Sequence, residues 1–432
     1  MMGRVVVSLA AMFVSLALFI AGTALLTTVL SLELVREGYS ALVVGVVLVC
    51  HSIGFVLGSF FSTRLIVRVG QVRSFSAFAA VGCAAALIHP MWVDAVLWAV
   101  LRGLVGFCAA GLIMVLESWI SARATNATRG ALLGIYQVVY FFAAALGQYL
   151  VSFDTAEAYT IYSVVAILVV LSLVPLALTR AEAPQVTAAE HLGFVALYRL
   201  SPSGLFGGVA GGMIVSCFLA LGPVYASRIG MSIPQISYYM AMAVLATMVL
   251  QWPVGRLSDR FDRRWVIALS SAVAAGGAAL GIGLGEIAEW VVYIATALLF
   301  GLAGCLYPLS LAMINDNMDA GDPVRASAGL LLAYGAGTCL GPVGGALTMQ
   351  WIGPAGLFGF TGGLFALYTA LVVWRGFTTQ ALPVEQQGRF VGIVATQTAP
   401  ALLDMDPRAE PFDAAHGVEI SDTTDSTDTA SA

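Results

Sequence analysis

Gly255-Arg-Leu-Ser-Asp-Arg-Phe-Asp-Arg-Arg264 packs six charged side chains into ten residues of a chain that has few elsewhere. An earlier stretch, Thr63-Arg-Leu-Ile-Val-Arg-Val-Gly-Gln-Val-Arg73, echoes it, and Arg68 stands 192 residues before Arg260. A second echo follows each copy. Thr128-Arg-Gly-Ala-Leu-Leu-Gly134 matches Val324-Arg-Ala-Ser-Ala-Gly-Leu330, and Arg129 stands 196 residues before Arg325. Two nearly equal offsets point to a duplicated half.

Outward from these loops the chain is apolar. Of 432 residues, 60% are hydrophobic and 10% are charged, where a soluble domain carries about 25% charged residues. Mean hydropathy is +0.93. These values exclude a soluble enzyme, a disordered protein and a fibrous one, and leave a polytopic membrane protein. About 20 apolar residues cross the hydrocarbon core as a helix, and twelve such runs are present: 5–31, 41–62, 74–90, 95–119, 131–152 and 159–178, then 204–226, 237–255, 265–285, 290–314, 327–350 and 355–374. The first is too long for a signal-peptide core. The runs are unbroken rather than alternating, and helices satisfy every backbone amide in lipid. The expected fold is an all-α membrane protein with twelve transmembrane helices in two pseudo-symmetric six-helix bundles.

Charge orients it. The chain has no lysine, and 16 of its 19 arginines fall in alternate loops and at the termini when the N-terminus is taken as internal. Arg36 and Arg228 fall outside, and Arg102 falls within a run. The positive-inside rule then places both termini in the cytoplasm of a multi-pass cell membrane protein. The expected division is an N-terminal half at 1–178, a cytoplasmic central loop at 179–203, a C-terminal half at 204–375 and a disordered acidic cytoplasmic tail at 376–432. The tail holds 2 Arg and 9 acidic residues, so the net charge of −5 describes the tail and not the membrane body. All six cysteines lie in apolar stretches without metal-ligand spacing, and read as packing residues.

The loop copies resemble the cytoplasmic signature of the major facilitator superfamily, G-x-L-x-D-R-x-G-R-R. The second copy departs from it at Asp262, and the first at Thr63 and Val67. Arg102-Gly-Leu-Val-Gly106 is similar to that family's R-x-x-x-G element. A nearer similarity, to the YcaD-like branch, rests on Val115-Leu-Glu-Ser118, Leu146-Gly-Gln148, Gln251-Trp-Pro-Val-Gly-Arg-Leu257 and Leu340-Gly-Pro342. The resemblance implies two halves rocking about a central site, and leaves the cargo open.

Several residues are then candidates. A cytoplasmic latch is expected from Gly255, Asp259, Arg260 and Arg263 in the second copy, since an Asp near a helix start and Arg beside it can bridge helix ends. In the first copy Arg68, Gly70 and Arg129 remain, with Glu117 as their acidic partner, and Arg325 is the counterpart of Arg129. Gly337, Gly341 and Pro342 on the eleventh run are a candidate hinge or packing element. Arg102 is the main intramembrane signal, because a cation there needs a partner or a wet cavity; it attracts an anionic solute or tunes a titrating neighbour. His51 is a candidate proton carrier. Thr23, Thr27, Tyr136, Gln137, Tyr140 and Gln148 from the first half, with Ser216, Tyr307 and Tyr334 from the second, are candidates to line a cavity for a small amphiphilic molecule.

The expected function is secondary active transport of a small organic solute by alternating access, with protons as a candidate coupling ion and the single chain as the working unit. A non-transporting receptor or scaffold on the same fold, recruiting a partner through the acidic tail, is the alternative; a lipid flippase is a third. No phosphate-binding loop, metal-ligand cluster, catalytic pair or basic nucleic-acid patch is present, so no enzyme, cofactor, metal or nucleic acid is expected.

Overall fold

The computed structural model describes residues 2–124, 128–153, 158–178, 192–284, 289–318, 323–378, 383, 387–388 and 390–392. Among them are twelve spans long and apolar enough to cross a membrane, and no strand. The first half holds α1 (Met2–Arg36), α2 (Ala41–Val69), α3 (Gln71–Ile88), α4 (Ala95–Ser121) and α5 (Arg129–Leu150). Its sixth span is α6 (Ala158–Leu171) followed by α7 (Leu173–Ala177), interrupted at Ser172. Pro175 supplies no N–H for the carbonyl of Leu171, which accounts for the interruption. The second half holds a short α8 (Phe194–Leu200), then α9 (Pro202–Arg228), α10 (Ile233–Ser258), α11 (Arg263–Leu284), α12 (Glu289–Asn315), α13 (Pro323–Ile352) and α14 (Gly356–Thr378).

Polar side chains start these helices by accepting orphan N–H groups. Asp94 accepts from the Leu97 N–H at 2.8 Å, and Ser201 from the Gly204 N–H at 3.1 Å. At α10, Gln235 reaches back to the Ser232 N–H at 2.8 Å, completing a capping box.

Two expectations change. The stretch 63–73 is not a loop: α2 runs to Val69, α3 starts at Gln71, and Gly70 alone turns the chain at φ 96°. Glycine reaches positive φ without steric cost. Hydropathy falls at Arg64 while helical hydrogen bonding continues, so Arg64 and Arg68 ride on the end of α2. The central stretch 179–203 carries α8 within its described part; residues 179–191, and all of the tail beyond 392, lie outside the described residues.

The halves repeat one packing plan. In the first, α2 packs on α4, α1 on α5 and α6, and α3 on α4 and α6; in the second, α10 packs on α12, α9 on α13 and α14, and α11 on α12 and α14. The fold is therefore two pseudo-symmetric six-helix bundles. They meet along α2 against α13 and α5 against α10, with α1 against α9. The spans with most of their length buried are α1, α4, α9 and α12, equivalent helices of the two halves. Apolar side chains such as Val96, Leu367 and Phe377 cover the outside, as a lipid-facing surface requires.

Candidate functional site

The α2–α4 seam sets the first wall. Gly54 faces the Gly103 carbonyl and Gly106 faces the His51 carbonyl, and a Cβ at either position would strike that backbone. Small residues let helix backbones touch. This close approach puts His51 on α2 and Arg102 on α4 side by side on one wall of a cavity of about 290 Å³ between the two halves.

Arg102 is 1% exposed. One guanidinium nitrogen, Nη2, donates to the Thr27 hydroxyl at 3.2 Å. Thr27 passes its own proton to the Thr23 carbonyl at 2.9 Å, so it is oriented to accept. Nε and Nη1 of Arg102, and Nδ1 of His51, are buried with no hydrogen-bond partner among the described residues.

The remaining walls come from both halves. Tyr140 and Gln148 of α5 line the cavity, as do Ser216 of α9, Tyr307 of α12 and Tyr334 of α13. The Tyr307 and Tyr334 rings meet edge to face with centroids 5.4 Å apart. Gln148 is anchored by the Thr28 hydroxyl, which donates to its Oε1 at 2.5 Å. Tyr136 and Gln137 do not line the cavity. Tyr136 turns away to donate to Glu117 Oε1 at 2.8 Å. Gln137 donates to Gln251 Oε1 at 3.1 Å, and Gln251 in turn donates to the Gly304 carbonyl at 3.2 Å. Gln251, Thr247 and Thr338 line the cavity without having been singled out for it. The Gln251-Trp-Pro stretch was a visible signal, but only the fold turns that amide inward.

At the end of the spans that carries Arg36 and Arg228, the halves are joined by hydroxyls. Ser31 of α1 donates to the Ala220 carbonyl of α9 at 2.9 Å. Ser237 of α10 donates to the carbonyls of Gln148 and Tyr149 on α5 at 2.8 and 2.9 Å. Gly45 of α2 packs on the Pro342 carbonyl of α13.

The arginine-rich end is arranged differently from the expected latch. Arg263 pairs with Asp316, the residue after α12, because α11 packs on α12. It also donates to Ser258 Oγ at 2.9 Å and the Gly388 carbonyl at 2.6 Å. Asp259 instead accepts the Phe390 N–H at 2.6 Å, and the Phe390 ring lies over Gly255 where a Cβ would stand. Gly392 then reaches Gln137 of the first half. Arg68 and Arg260 are exposed. The side chain of Arg129 lies outside the described residues, and Arg325 accepts the Leu192 N–H on its carbonyl at 3.0 Å. Asp316 follows Asn315 and precedes Asn317, a polar cluster at the end of the tenth run that marked it, but not its partner.

The candidate hinge is a packing seam. The α13 helix runs unbroken through Gly337, Gly341 and Pro342. Gly337 lies on the Val209 carbonyl and Gly341 on that of Met213, both on α9.

Comparison with known proteins names this architecture. The model of the Major Facilitator Superfamily matches residues 12–249 and 204–403. The chain belongs to the Major Facilitator Superfamily. Relatives include the "Uncharacterized MFS-type transporter YcaD" of Shigella flexneri and that of Escherichia coli O139:H28. Each is 30% identical over 334 residues, covering 76% of this chain and 85% of the relative. Among solved structures, the nucleoside transporter NupG superposes with a TM-score of 0.67 at 14% identity, over 86% of this chain and 99% of that one. An inward-facing bacterial homolog of the human lysosomal transporter Spinster gives 0.64 at 15% identity, over 94% and 99%. The Escherichia coli fucose:proton symporter FucP gives 0.52 at 15% identity, over 87% and 99%. At these identities the structural likeness concerns the fold. This superfamily member is thus a multi-pass membrane protein of a transporter family, and not an enzyme.

Proposed function

We propose that this superfamily member is a secondary active carrier that moves a small organic solute across the cell membrane by alternating access, with the single chain as the working unit. The observation that carries the reading is the cavity of about 290 Å³ between the halves, lined by both, with polar side chains from each set among apolar ones. A site shared by two rigid bundles is exposed to one side or the other as they rock. The Ser31 and Ser237 hydrogen bonds support a state closed at the arginine-poor end. We take the arginine-rich end, with both termini, as cytoplasmic. Residues 1–178 and 204–375 are the moving halves, and the tail is an appendage to them.

A proton is the candidate coupling ion. FucP is named a proton symporter, and His51 is the titratable imidazole in this cavity wall. The test is flux in proteoliposomes across a broad solute panel, with and without a pH gradient. Solute accumulation that an uncoupler abolishes is the expected result. A folded protein that moves nothing across the panel overturns the carrier reading and favours a receptor or scaffold.

A further inference from the structure

We propose that the solute is a lipophilic monoanion, a carboxylate on a small apolar body, held by Arg102. The inference rests on the cavity being the transport site and adds the chemical class of its cargo.

The first argument is unused donor capacity. A guanidinium carries five N–H donors. The fold gives Arg102 one partner, the Thr27 hydroxyl at 3.2 Å, and leaves Nε and Nη1 without one among the described residues. A purely structural arginine at this depth would have carbonyls or a carboxylate around it, since an uncompensated buried cation is costly. A carboxylate satisfies two parallel N–H groups at once.

The second argument is charge. Arg102 is the one formally charged side chain in the described wall, which contains no Asp or Glu. The buried Glu117 lies outside that wall and accepts from Tyr136. A monoanion neutralises the site. A cation is repelled by it, and a dianion leaves a surplus charge in an apolar enclosure.

The third argument is the rest of the surface. Ile20, Phe55, Phe141, Leu219, Val244 and Phe300 face the same space. They offer contact to carbon and no hydrogen bonds. The volume, about 290 Å³, is at the small end for ligand pockets, so the apolar body is compact. His51 on the neighbouring helix lines the same wall and sets a second polar residue beside the anion.

The experiment is equilibrium binding to the purified full chain in detergent, using two matched series. One is naphthalene-2-carboxylate with its amide and its aminomethyl analogue; the other is 3-phenylpropanoate with the corresponding amide and amine. The carboxylate of at least one series is expected to bind at least about tenfold more tightly than its amide and amine. Arg102→Gln is expected to weaken that carboxylate by about 10- to 100-fold, the scale of a hydrogen bond to a charged group, and to erase the ranking. Arg102→Lys should retain part of it. Unliganded melting temperatures check that the variants fold; if they do not, the wild-type ranking decides. An amide or amine that matches its carboxylate in both series, or failure of both carboxylates to bind, overturns the inference. Flux of neutral or cationic solutes without carboxylate binding overturns this inference alone. Carboxylate binding without flux of any solute overturns the carrier reading and leaves the anion site standing.

Discussion

Replacing Ser31 and Ser237 together by alanine should open the arginine-poor end. Both side chains are fully buried, and their hydroxyls donate across the boundary between the halves, to Ala220 and to Gln148 and Tyr149. The acceptors are main-chain carbonyls of α9 and of the last turn of α5, the latter also accepting the Val151 N–H, so the substitutions remove bonds without stranding a charge. A neutral hydrogen bond contributes about 0.5–1.5 kcal/mol net. Two such links give about 2 kcal/mol, and 1.4 kcal/mol is a factor of ten, so the open-to-closed ratio rises about 30-fold. A minor open state at about 1% would become about a quarter of the molecules. Spin labels at Glu37 and Arg228, next to the end of α1 and at the end of α9, read this directly by double electron–electron resonance. The double variant should show a second, longer distance, and each single variant a smaller fraction of it. An unchanged distance distribution in the double variant refutes the claim that these hydroxyls hold the halves together.

Three further outcomes follow from the same geometry. Asp316→Ala removes the carboxylate from Arg263, itself 2% exposed; breaking a buried pair on one side costs about 3–5 kcal/mol. The double variant with Arg263→Met should be more stable than Asp316→Ala alone, measured by unfolding in mixed micelles. Gly106→Leu should force α2 from α4, lowering the melting temperature far more than Gly134→Leu, where a Cβ meets nothing within 4 Å. Phe390→Ala, which removes the ring over Gly255, should speed maleimide labelling of a cysteine placed at the cavity residue Ser59 in an otherwise cysteine-free chain; equal rates would show that the Phe390 ring does not screen that end.

Much of the site was legible as a set of residue types. Arg102 and His51 stand out because ionisable groups inside apolar runs are costly, and both reach the cavity. Tyr136 and Gln137 show the limit. They are neighbours of Tyr140 on one helix and carry similar chemistry, yet Tyr136 turns to Glu117 and Gln137 to Gln251. Which face of α5 meets the cavity depends on where α1 and α10 pack, and helical spacing alone leaves that rotation free. Asp316 was hidden for a related reason. A charge at a helix end reads as solvated until the neighbouring helix brings Arg263 to it.

The sequence by itself determined the class of molecule. Twelve apolar runs have no other stable form in lipid, because each helix satisfies its own backbone, and a repeat offset of nearly 200 residues makes two like halves. Those are local properties, fixed by composition and spacing. Tertiary structure alone decided which polar groups find partners. It closed Ser31 on Ala220 and Arg263 on Asp316, and it left two buried nitrogens of Arg102, in the cavity wall, with none among the described residues. A hydrogen bond forms or fails within an ångström, and that distance depends on glycine-to-backbone contacts between helices that are far apart in the chain.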